Sequence, residues 1–65
     1  MKADNKKLHI AMARACMNSG DLAKATEMPL PTINGVLRER SIRPATLGRI
    51  AKALDVDVTE IMKEE

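Results

Sequence analysis

The chain has 65 residues, 45% of them hydrophobic and none aromatic, and a net charge of +2. That length supports one small domain, and a lone cysteine (Cys16) with a lone histidine (His9) excludes an internal disulfide and a Cys/His zinc site. Without Phe, Tyr or Trp there is no base-stacking platform for single strands, and no apolar run approaches the ~20 residues needed to cross a bilayer.

In chain order, the start MKADNKK lacks the apolar core of a signal peptide, so a cytoplasmic location is expected. Asp4 is placed to cap a helix from Asn5 to about Met17. Leu8, Ala11, Met12, Ala15 and Cys16 recur at the spacing of one apolar stripe, which predicts that the Cys16 thiol is a small buried hydrophobe. His9 lies off that stripe and is expected to face solvent. Asn18, with Asp21 three residues later, forms a capping pair for a second helix over about Ser19 to Ala25, with Leu22, Ala23 and Thr26 inward.

Thr26-Glu27-Met28-Pro29 reads as a turn. Pro31 suits the first position of a third helix reaching about Arg38, where its missing N–H costs nothing, and the pre-proline restriction predicts that Leu30 stays outside the helix. Ile33, Val36 and Leu37 fall within about 60° of one another on a helical wheel. Pro31, Gly35 and Arg38 point the opposite way, flanked by Thr32 and Asn34. That outer face holds one cation, a glycine and two short hydrogen-bonding side chains, a poor core surface and a suitable one for a DNA groove. Gly35 costs ~1 kcal/mol against alanine in a helix, and its outward position suggests close approach to a partner.

Ile42 anchors the connection that follows. Pro44 opens a fourth helix carrying Leu47, Ile50, Ala51 and Leu54 at helical spacing. Asp57 and Glu60 then form a capping box for a last helix with Val58, Ile61 and Met62 inward. The expectation is an all-α domain of five short helices, 1–65, with Leu22, Ile33, Val36, Leu47, Ile50 and Leu54 in its core. Charge is unevenly spread. Residues 1–20 hold Lys2, Lys6, Lys7 and Arg14 against Asp4, and residues 38–52 hold Arg38, Arg40, Arg43, Arg49 and Lys52 against Glu39. Residues 53–65 hold Asp55, Asp57, Glu60, Glu64 and Glu65 against Lys63. The basic connection suits a polyanion.

The ordered pattern DLAKATEMPLPTINGVLRERSIRPATLGRIAKALDVDVTEIM, residues 21–62, resembles the phage-repressor, Cro-like (XRE-type) helix-turn-helix domains, with the motif over about 18–39. Leu22-Ala23, Thr32-Ile33 with Val36, and Pro44 followed by LGRIAKALDVDVTEI are its most specific parts. The resemblance implies a compact lambda-repressor-like fold of five helices whose third helix enters the DNA major groove. It sets Pro31, Thr32, Asn34, Gly35 and Arg38 on the base-reading face and Asn18, Ser19, Arg40, Arg43 and Thr46 against phosphates. This chain departs from the family at Glu27 and Glu39, where relatives often have glycine. Met12 and Leu37 stand where many relatives place an ion pair, and Leu30, Pro31 and Gly35 replace polar base readers.

The reading is a sequence-specific regulator of transcription that binds double-stranded DNA, expected to repress, with no cofactor or metal. A homodimer on a palindromic operator would form through the region of Val58 and Met62. Two alternatives use the same fold: an antitoxin with a toxin partner, and a protein-interaction module that has left DNA. An enzyme is the least favoured reading, because one histidine and a solvated acidic tail assemble no catalytic set.

Overall fold

A computed structural model describes residues 1–64; Glu65, counted above in the acidic stretch, lies outside the described residues. Four α-helices follow one another: α1 (Asn5–Arg14), α2 (Ser19–Thr26), α3 (Leu30–Leu37) and α4 (Pro44–Ala53). The fifth expected helix is instead a single 3-10 turn over Val58–Glu60, opened by the Asp57–Glu60 capping box. It stops because the next residues are used elsewhere. Ile61 O accepts from Asp4 N at 2.8 Å, Ala3 and Met62 form an isolated antiparallel bridge, and Lys63 N donates to Lys2 O. Backbone groups committed to that pairing cannot extend a helix.

The start signals hold well. Asp4 accepts from Lys7 N, and the reciprocal bonds of Asn18 and Asp21 cap α2. At α3 the expectation is corrected by one residue: Pro29 is the cap, Leu30 is helical and Pro31 is second. First-turn N–H groups have no intrahelical acceptor, so Pro31 forfeits nothing there. Pro29 O closes the turn by accepting from Thr32 N and Ile33 N.

All four helices end in the same way. Cys16, Glu27, Glu39 and Asp55 sit in the left-handed region, with φ between 56° and 61°. In each case the residue that follows donates back across the helix's last turn: Met17 to Met12 O, Met28 to Ala23 O, Arg40 to Gly35 O and Val56 to Ala51 O. This is the Schellman closure, built here without glycine, at a backbone cost of roughly 1–2 kcal/mol for each side chain forced left-handed. Met17, Met28 and Val56 then pack on the core, which offsets that cost. The closure also corrects two readings of the first helix. It ends at Arg14 rather than Met17, and Cys16, at the left-handed position, is exposed rather than buried.

The core is aliphatic throughout. Leu8, Leu22, Ile33, Val36, Leu47, Ile50 and Ile61 are all but inaccessible, and Leu54 is buried with them. Burying one such side chain is worth about 1.5–3 kcal/mol. α2, whose Leu22 and Ala23 are buried, packs on both α3 and α4, and α1 also packs on α3. Arg49 Nη2, from α4, reaches Thr26 O at 2.9 Å and ties down the last turn of α2. The buried Thr26 hydroxyl donates to Leu22 O.

Candidate nucleic-acid interface

Helix α3 has one face committed and one face free. Ile33 and Val36 are buried and Leu37 is half-buried, while Pro31, Thr32 and Arg38 are exposed and Asn34 and Gly35 are partly so. Four of the five residues expected to read bases lie on α3 and Arg38 caps its end, and all five are at least partly exposed. At the helix start no side chain caps the first turn.

Gly35 has a reason within the chain that sequence reasoning did not reach. The Schellman closure of α3 brings Arg40 back over Gly35, whose carbonyl accepts from both Arg38 N and Arg40 N at 3.1 Å. A Cβ built on Gly35 would lie 3.4 Å from Arg40 Cδ. In the other three closures the returning residue is a half-buried hydrophobe; in α3 it is an exposed arginine. The small residue thus leaves room for an aliphatic stem, and the guanidinium is carried out beside the free face of α3. Gly35, Arg38 and Arg40 are brought together by these bonds.

Arg43 caps α4 through its backbone and has an exposed side chain, and Thr46 follows half-buried in the first turn of α4. Asn18 and Ser19 begin α2. The Oδ1 of Asn18 is used on Asp21 N, which leaves its amide NH2 as the donor available to an anion. No hydrogen bond or ion pair among the described residues joins Asn18, Ser19, Arg43 or Thr46 to the Gly35–Arg38–Arg40 group.

Three ion pairs form among the described residues, and eight of the eleven Lys and Arg side chains have none there. Arg14 pairs with Glu60, Lys7 with Glu64 and Lys63 with Glu39. Among the described residues the guanidinium groups of Arg38, Arg40 and Arg43 have no such partner. Glu39 is the acid in their midst, and it is turned away. Its Oε1 accepts from Lys63 Nζ at 2.5 Å and its Oε2 from Asn5 N at 3.0 Å. These bonds hold the Glu39 carboxyl below the usual carboxylate range. Asn5 Nδ2 also donates to Leu37 O, and Met1 O accepts from Ile42 N at 2.7 Å. The N-terminal segment therefore pins both ends of the basic connection. The partners of Glu39 lie more than 20 residues away in sequence, so no local signal marks them.

Such a face presents unpaired cations and short polar groups on a helix whose other side is locked into a core. The sequence pattern of the family described as Cro/C1-type HTH DNA-binding domain matches residues 7–65. No curated protein matches the chain. Among solved structures, a mutant of hydroxyethylphosphonate dioxygenase superposes with a TM-score of 0.83 at 23% identity, over 98% of this chain and 14% of that one. PhpD with cadmium and hydroxyethylphosphonate gives 0.82 at the same identity and coverage. The chain thus spans about one seventh of the length of these structures, and the likeness is one of fold.

Proposed function

Because the chain belongs to the Cro/C1-type HTH DNA-binding family, we propose that it is a sequence-specific regulator that lays α3 in the major groove of double-stranded DNA and represses by occupying its operator. The observation that carries this reading is the free face of α3 beside three guanidiniums without an ion pair among the described residues, with the acid in the basic connection, Glu39, engaged elsewhere. Thr32, Asn34 and Arg38 carry the polar base contacts, with Pro31 and Gly35 allowing close approach. Arg40, Arg43, the amide of Asn18, Ser19 and Thr46 hold phosphates, which position the helix without specifying sequence. The function is binding, not catalysis.

Selection of bound sequences from a random duplex pool tests this reading. A single enriched motif, bound with an affinity that falls steeply with salt, is the expected result. Inverted half-sites about one helical turn apart would identify two copies on one operator. Val58 and Met62 are half-buried against the chain's own core, so any pairing surface there is small.

A second reading, a protein-interaction module that has left DNA, uses the same fold. The same fold stands inside chains about seven times longer, including a dioxygenase, and a fold hosts more than one function. A protein-interaction module would bind random duplex negligibly even at low salt, which separates the two.

A further inference from the structure

Glu39 stands between Arg38 and Arg40 in the chain, yet its carboxylate is bonded to residues from far along the sequence on either side. One bond comes from the backbone N–H of Asn5, the first residue of α1, where a helix leaves N–H groups without an intrahelical acceptor. The start of α1 is also the end of that helix that favours an anion. The other bond comes from Lys63 Nζ. Lys63 belongs to the segment that joins the N-terminal residues, through the Ala3–Met62 bridge and through its own N–H to Lys2 O. Lys2 acts on the same carboxyl by its charge. The Glu39 backbone is the left-handed residue of the closure that returns Arg40 over Gly35.

We propose that Lys63 is a positioning residue for DNA binding, which holds the Glu39 carboxylate at the start of α1 and so keeps Arg38 and Arg40 open to the duplex. This rests on the DNA-binding reading above. Lys63 acts by preventing a competition. A guanidinium offers the same fork of donors to a carboxylate as to a phosphate. A carboxylate tethered one residue away competes at a high effective concentration. Among the described residues Arg38 and Arg40 nevertheless have no ion pair, because the acid between them is bonded elsewhere. Of its two hydrogen-bond donors, the Asn5 N–H belongs to the backbone and survives substitution of that side chain. Lys63 is the one a substitution removes. Without it, one carboxylate oxygen loses its cation and becomes available to the arginine on either side.

The test is a double-mutant cycle read on affinity for the selected operator. Lys63→Met should weaken binding by roughly three- to fivefold, the upper part of what one exposed charge pair is worth. It should also lower the slope of log affinity against log salt by up to about one, because Glu39 then takes the place of one phosphate at an arginine. Glu39→Gln alone should bind much as the parent does. The double variant, Lys63→Met with Glu39→Gln, should recover both affinity and slope. Lys63→Arg keeps the ion pair and should match the parent. The Lys63 and Glu39 side chains are both partly exposed, and such pairs carry little stability, so every variant should fold, which thermal melting checks. A loss in Lys63→Met that persists undiminished alongside Glu39→Gln would make Lys63 a phosphate contact or a structural prop and overturn the proposal. Unchanged affinity in Lys63→Met would overturn it as well. In either case the parent still binds its operator, and the DNA-binding reading stands. Failure of the parent protein to bind any duplex at low salt would overturn both.

Discussion

Replacing Gly35 by alanine pulls stability and binding in opposite directions. No glycine in the chain has a positive φ, so the backbone at Gly35 accepts alanine without strain. The new Cβ would sit 3.4 Å from Arg40 Cδ, an ordinary contact with a flexible stem. Stability should therefore rise by up to ~1 kcal/mol, because alanine gives up less backbone entropy on folding. In a domain this small, that is about 4–8 °C in melting temperature. Binding should weaken all the same, because the methyl group stands on the free face of α3 and holds that face off the base edges. A loss of roughly three- to tenfold, equivalent to about 0.7–1.4 kcal/mol, is expected for the selected operator. Thermal melting and a titration against that duplex give the two numbers from one preparation. A more stable variant with unchanged affinity and unchanged base preference would refute the placement of this face against DNA. An acceptable smaller effect is a shift toward thymine, whose methyl can meet that of alanine.

Three other outcomes are expected. Leu47→Ala and Ile61→Ala each empty a fully buried position and should cost about 2–5 kcal/mol, a large part of the total for a domain of this size; chemical denaturation measures it. Arg43→Ala should weaken specific and random DNA alike and lower the slope of log affinity against log salt by about one, whereas a changed sequence preference with an unchanged slope would make Arg43 a base reader. Glu39 has a folded pKa below its ordinary 4.5, so its contribution to stability is present above that value and lost as pH falls through the lower folded value. The melting-temperature gap between the parent and Glu39→Gln should therefore be widest near neutral pH and close as acidification protonates the Glu39 carboxyl.

Much of this fold is local chemistry written in the chain. Asp4, the Asn18–Asp21 pair, Pro44 and the Asp57–Glu60 pair start their elements, the three acidic or amide caps by satisfying orphan N–H groups within three residues and Pro44 by having none to satisfy. The apolar stripes of α2, α3 and α4 are buried as their period requires. The solvent side of α3 is legible for the same reason, as the complement of a stripe. What the sequence could not decide depends on contacts between distant residues or on choices among nearly equal local states. The last helix shrank to one turn because residues 61–63 pair with the N-terminal segment, and nothing near them announces that partner. Cys16 left the buried stripe because the chain closes α1 through a left-handed residue that is not glycine, which Met17 makes worthwhile only by packing on a core formed elsewhere. Glu39 turned from the basic connection because Lys63 and the start of α1 meet it there, 24 and 34 residues away. Period and capping act over one or two turns of helix, and sequence shows them. The direction in which a charge or a strained turn resolves is set by what the folded chain brings alongside it, which only the tertiary structure supplies.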